Sequence, residues 1–249
     1  MVQLAPLPGS PRNDKSVASI VDGALRDAEA LQSAGFDALI VENYGDAPFV
    51  AERTDPAGVA ALAIVTARVK DATALIVGVN ALRNDARSAM GVASASGAAF
   101  IRVNVHTGVT ATDQGLIEGR ADDTLRYRRQ LGTDVGIFAD VHVKHAAPVS
   151  QPDIALAAQE TAYRGLADAL IVSGPATGQP ADIEQIRRVK EAVPDRPVLV
   201  GSGTTTDSVR SILSACDGVI VGTDIKHDGC TDAPVDPARA AAFIRAARG

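Results

Sequence analysis

The sequence has no tryptophan, and aromatic residues make up only 3% of its 249 positions. Large rings therefore cannot fill the interior, so Ala, Val, Ile and Leu must. Hydrophobic residues reach 46%, and an aliphatic core of this kind suits buried parallel strands flanked by helices. Cysteine is scarce. Cys216 and Cys230 stand in no CxxC or zinc-type spacing, which argues against a disulfide framework and points to a reduced, cytoplasmic protein. Basic charge is in deficit: Lys plus Arg is 24 against 30 Asp plus Glu, a formal net charge of −6. That is no footprint for nucleic acid, which needs a basic surface. No apolar run approaches the roughly 20 residues that cross a bilayer, and residues 1–11 lack the basic start and apolar stretch of a secretory signal. Neither nucleic-acid binding nor membrane insertion is expected.

What the chain does have is alternation. Short apolar runs at 2–5, 38–41, 74–79, 100–105, 135–143, 169–172, 198–200 and 218–221 are separated by helix-period segments at 17–33, 58–70, 85–95, 122–131, 153–164, 181–192, 207–215 and 237–248. Strict strand–helix alternation implies parallel strands joined by crossover helices. Eight units predict a single α/β domain over 1–249, a (βα)8 TIM barrel. An open doubly wound sheet alternates too, but the chain has no GxGxxG turn after an early strand. The longest irregular stretch, 106–120, is a candidate lid. The Ala-rich helices would permit a homo-oligomer through helix faces.

Alternate residues of a strand share a face. In the fourth run, Ile101, Val103 and Val105 form the face towards the helices, so Arg102, Asn104 and His106 point into the barrel. In the fifth, Asp140, His142 and Lys144 share the inner face. The second run ends with Glu42 and the third with Asn80. Inward polar groups are costly unless paired or hydrated, and the C-terminal ends of barrel strands are where this fold carries its chemistry. Arg102, the deepest, is expected to pair with Glu42 or Asp140. The four histidines, His106, His142, His145 and His227, all follow strand ends, and histidine titrates near neutrality.

Three chemistries stay open. Asp140 or Glu42 acts as general base with His142 as acid partner. Alternatively Lys144, if desolvated or beside another cation, forms a Schiff base. In the third, Glu42, Asp140 and His142 hold a divalent metal, Mg, Mn or Zn. On the acid–base reading, Asp140→Asn and His142→Ala stop turnover and leave folding intact. Asn80, Asn104, His106 and Arg102 would contact substrate.

The last three strands end differently: Val172-Ser173-Gly174, Val200-Gly201-Ser202-Gly203-Thr204 and Val221-Gly222-Thr223-Asp224. Glycine lets an anion approach backbone N–H groups. Turns after strands seven and eight are the usual phosphate cradle of this fold. Gly174, Gly201, Ser202, Gly203, Gly222 and Thr223 are therefore candidate phosphate ligands for a small phosphorylated metabolite.

The runs Pro6-Leu7-Pro8-Gly9-Ser10-Pro11, Val41-Glu42-Asn43-Tyr44-Gly45-Asp46-Ala47-Pro48-Phe49, Gly78-Val79-Asn80-Ala81-Leu82-Arg83-Asn84-Asp85, Ile101-Arg102-Val103-Asn104 and Asp140-Val141-His142-Val143-Lys144-His145-Ala146 resemble the BtpA/SgcQ family. So do Asp113-Gln114-Gly115 and the glycine turns of the last two strands, and the resemblance spans essentially the whole chain. It implies a phosphate-binding TIM barrel of the ribulose-phosphate-binding type. Two functions go with it: photosystem I biogenesis, or an enzyme of sugar metabolism. Where the family often has a first-strand His, this chain has Gln3. Together these features predict a lyase, aldolase or isomerase using acid–base chemistry on a phosphorylated sugar or related metabolite. The alternative is a non-catalytic assembly or regulatory factor. Fold alone does not choose between them.

Overall fold

The computed structural model describes residues 1–174 and 181–249. Its strands in chain order are β1 (Val2–Gln3), β2 (Ala38–Glu42), β3 (Ile76–Asn80), β4 (Phe100–Val103), β5 (Val109–Thr112), β6 (Gly115–Glu118), β7 (Gly136–Val141), β8 (Ala146–Pro148), β9 (Ala169–Val172), β10 (Val198–Val200) and β11 (Gly218–Val219). The helices are α1 (Val17–Ala34), α2 (Pro56–Ala72), α3 (Ala86–Ser96), α4 (Ala121–Leu131), α5 (Ile154–Gln159), α6 (Ile183–Ala192), α7 (Val209–Leu213) and α8 (Pro237–Arg248). Eight strands form one parallel sheet in the order β1-β2-β3-β4-β7-β9-β10-β11, each beside the preceding strand of that sheet. The sheet curls into a (βα)8 barrel. Its last unit is tied to the first: α8 packs on α1, and the Lys226 ammonium donates to Asp27 Oδ2 at 3.0 Å while Val235 N donates to Asp27 Oδ1 at 2.8 Å.

Six of the described helices begin where the chain supplies a side-chain cap, whereas α4 and α7 have none. Ser16, Asp55, Asp85, Asp153, Asp182 and Asp236 each accept from a backbone N–H of the first turn, which stabilises a helix by about 1 kcal/mol per cap. Outward strand residues such as Val41, Val79, Ile101 and Val103 are buried in the shell between sheet and helices. The inner face is layered. At its floor Phe100 and Phe138 stack with centroids 4.3 Å apart. Gly78 makes room for them, since a Cβ there would lie 2.3 Å from the Phe100 ring. Two residues further along β4 and β7, by the same alternation, stand Arg102 and Asp140.

Three expectations need correction. The stretch 106–120 is not irregular. β5 and β6 form an antiparallel hairpin, and β8 joins it in a separate three-stranded sheet, underlain by Val105, Ile117 and Val143. The fifth barrel strand stops at Val141, because His142 takes φ 54; a left-handed residue cannot continue a pleated strand. The helix expected over 153–164 is regular only through α5, then widens to a π turn over Glu160–Arg164.

Candidate active site

The parallel register of β2 and β3 sets Glu42 beside Asn80. Asn80 Nδ2 donates to Glu42 Oε2 at 2.7 Å. Oε1 receives no donor among the described residues, and Glu42 lines a cavity of about 210 Å³ at the C-terminal mouth of the barrel. Lys144 lines the same cavity. Its backbone carbonyl accepts from Arg83 Nη2 at 2.7 Å, which fixes the chain there, while its ammonium makes no hydrogen bond among the described residues. Burial pushes the Lys144 amine below its ordinary pKa, and the Arg102 charge pushes it further; Glu42 and Asp140 oppose both. Arg83 is buried, and burial lowers its pKa as well.

The glycine turns form the other wall. Gly201, Ser202, Gly203, Thr204 and Thr205 line the cavity with Gly222 and Thr223. A Cβ on Gly201 would sit 2.5 Å from Ile171 Cγ2, 2.9 Å from Ser173 Oγ and 3.0 Å from Arg102 Nη2, so this backbone packs directly on the polar layer below. Gly203 has φ 73, in the left-handed region that favours glycine. Gly222 has φ −128 and no such need. Thr204 is buried, and among the described residues its Oγ1 has no partner; the same holds for Gln3 Oε1. Both residues line the cavity, so a water, an ion or a ligand polar group there could satisfy them. Arg239 also reaches this wall, braced by its Nε donating to the Asp224 carbonyl at 2.7 Å. Gly174 is buried at the last described position after β9 and is not among the cavity's lining residues.

Of the remaining predicted residues, Arg102 also lines this cavity, and the others lie elsewhere. Arg102 grips Asp140 with two bonds, Nε to Oδ2 at 3.0 Å and Nη2 to Oδ1 at 2.8 Å. Asn104 Nδ2 donates to Oδ2 at 2.8 Å and Ser173 Oγ to Oδ1 at 3.3 Å. The Asp140 side chain is 0% exposed. A carboxylate held by four donors and sealed from the mouth is an anchor for Arg102, and a poor proton acceptor for substrate. His142 turns aside with its left-handed backbone; its Nε2 bonds the Gln151 carbonyl at 2.7 Å. Together with Asp140 and Asn104 it borders a separate cavity of only about 30 Å³. The metal candidates Glu42, Asp140 and His142 are thus not brought together, and no group of three His, Cys, Asp or Glu among the described residues is placed to hold a metal ion. His106 bonds the Gly165 carbonyl at 2.8 Å, beyond the end of β4, and burial holds its pKa below the usual value. His145 is exposed, and His227 pairs on the surface with Asp236 at 3.3 Å.

Residue order alone missed Gln3 as a cavity wall, Thr204, Arg83 and Arg239. Thr204 carried a signal, as the polar end of the Gly201–Gly203 turn. Arg239 carried none, since it belongs to α8 and reaches the mouth only because the last unit folds over it.

A family model described as the BtpA family matches residues 1–249. The photosystem I biogenesis protein BtpA of Synechocystis sp. is 47% identical over 246 residues, covering 99% of this chain and 86% of that protein. Among solved structures, thiamine phosphate pyrophosphorylase from Pyrococcus furiosus superposes with a TM-score of 0.60 at 15% identity, over 92% of this chain and 89% of that one. Phosphoribosyl anthranilate isomerase from Thermus thermophilus gives 0.58 at 11% identity, over 89% and 92%. At such identities the likeness is one of fold. No helix among the described residues is long and apolar enough to cross a membrane.

Proposed function

From the premise that this chain belongs to the BtpA family, we propose that it is an enzyme of the lyase, aldolase or isomerase type acting on a small phosphorylated sugar or related metabolite. One observation carries the reading: a single cavity of about 210 Å³ joins a glycine-lined wall to Glu42 and Lys144. The phosphate sits on the backbone of Gly201–Gly203 and Gly222–Thr223, with Thr204 Oγ1 as a hydroxyl contact and Arg239 as counter-charge. Glu42 moves the proton. Its Oε2 is held by Asn80, which leaves Oε1 aimed at substrate. Asp140 acts at one remove by holding Arg102 against the cavity wall. The names of the two fold neighbours, a thiamine phosphate and a phosphoribosyl enzyme, agree with a phosphorylated ligand.

The test is thermal unfolding against inorganic phosphate, sugar phosphates and nucleotides, each with and without magnesium, manganese or zinc. A ligand at 100 times its Kd adds about 2.7 kcal/mol, which for a chain of this size raises Tm by roughly 5–11 °C. The absence of a rise with every phosphate compound would remove the cradle. A second reading, an assembly factor, has the name of the Synechocystis relative in its favour. It predicts that substitutions around the mouth leave the protein's role intact.

A further inference from the structure

The chain has five lysines, and their surroundings differ sharply. Lys226 is 1% exposed and paired with Asp27 at 3.0 Å. Lys190 is paired with Asp217. Lys15 is exposed and Lys70 half-buried, both away from the mouth cavity. Lys144 alone lines that cavity, opposite the glycine turns, with an ammonium that has no hydrogen-bond partner among the described residues. An unpaired cation in a confined site costs stability. The site does not relieve the cost: the Asp140 carboxylate is taken up by Arg102, and Glu42 shares its Oε2 with Asn80. The chain instead spends a buried arginine, Arg83, on holding the Lys144 backbone in place.

Resting on the phosphate-binding reading, we infer that the Lys144 amine forms an imine with the carbonyl carbon of a phosphorylated aldehyde or ketone seated in the glycine turns. The neutral amine adds to the carbonyl carbon, and the C=O π pair moves to oxygen, which takes up a proton from solvent. The proton leaving nitrogen passes to Glu42 Oε1. Glu42 then returns it to the carbinolamine hydroxyl, which departs as water and leaves C=N⁺. The iminium draws electrons from an adjacent C–H or C–C bond, the step an isomerase or aldolase needs, and water later hydrolyses it to free the lysine. Lys144 meets both requirements for a nucleophilic amine at neutral pH, desolvation and a neighbouring cation, Arg102. The charged groups acting on it are Arg102, Arg83, Glu42 and Asp140; Asp224, Arg239 and the Met1 amino group, which donates to the Val221 carbonyl, line the same cavity.

Two measurements test this on the whole protein. Competitive acetylation with acetic anhydride across pH, read by peptide mass, should show Lys144 half-labelled at lower pH than Lys15 and Lys70; co-titration with those two would overturn the inference. Next, dihydroxyacetone phosphate, glyceraldehyde 3-phosphate and pyridoxal 5′-phosphate are each added with borohydride. The reduced adduct should map to Lys144, fall at least tenfold with unphosphorylated dihydroxyacetone or pyridoxal, and be blocked by excess inorganic phosphate. Lys144→Arg should lose the adduct yet keep its Tm rise with inorganic phosphate, and Lys144→Met serves as the second control. If phosphate still raises Tm but none of the three probes marks Lys144, the imine is wrong and the phosphate site stands. If phosphate raises nothing and no adduct forms, both fall. Adducts spread evenly over the lysines, phosphorylated or not, overturn the imine.

Discussion

Two polar regions crown this barrel, built from the same kinds of residue. At the mouth, Glu42, Lys144, Gln3 and Thr204 face a cavity of about 210 Å³ with hydrogen-bonding capacity left over. Beside it, Asp140 and His142 border a void of about 30 Å³ and have their partners within the protein. Both regions hold a carboxylate, an amide and a base near strand ends. What separates the two carboxylates is saturation, although Asn104 Oδ1 beside the side void also lacks a partner among the described residues. A carboxylate that accepts from four donors has no lone pair to offer a substrate, whereas one held at a single oxygen does. The mouth is furnished for a ligand, and the side region for rigidity.

Substitutions should separate the two regions, the mouth in activity and the side region in stability. Glu42→Gln should cut turnover 10²- to 10⁴-fold, the usual worth of a positioned acid–base group, with little change in melting; assayed on the substrate the phosphate screen identifies, a loss below tenfold would erase the distinction. Asp140→Asn strands a buried Arg102 and should cost about 3–5 kcal/mol, a Tm loss of roughly 6–20 °C by calorimetry. This replaces the expectation from sequence that Asp140→Asn leaves folding intact.

Lys144→Met should move the other way. Its folded pKa is lowered, so below the ordinary lysine value the unfolded chain binds more protons, and stability rises with pH across that window. The cost is present below the ordinary lysine value and fades as pH rises towards it, so removing it should stabilise the fold by about 1 kcal/mol at neutral pH. The gain should shrink in melts taken above pH 10. His142→Ala should be the mildest, a loss of about 1 kcal/mol for one hydrogen bond with an unchanged phosphate-induced shift. A lost shift would return His142 to the mouth.

Acidification probes both regions: burial lowers the pKa of the Met1 amino group, which lines the mouth cavity, to about 5. Burial lowers the His106 pKa, so below pH 6.5 the unfolded chain gains a proton that the fold resists, and stability falls with pH. His106→Gln should flatten that slope in melts between pH 7.5 and 5.

Much of this was legible in residue order, for identifiable reasons. Glu42 could be placed because β2 keeps its pleat unbroken from Ala38, so counting by two stays true. Arg102 pairs with Asp140 by the same parity in β4 and β7. The Gly201–Gly203 turn announced itself because Gly203 sits at a φ that other residues resist. His142 could not be placed, because a single left-handed residue after β7 ends the count. Lys144 reaches the mouth by a different route from the one the alternation implied, along a loop that Arg83 secures.

The sequence by itself determined the barrel, since eight alternating apolar runs and helices leave few ways to bury their faces. It also determined which residue types stand near strand ends, because a two-residue period is a local property of backbone sterics. Only the tertiary structure decided which of those polar groups are satisfied. Arg83, Arg102, Arg239, Asn80 and Ser173 come from four different units, and hydrogen-bond saturation depends on distances between units, which no local period contains.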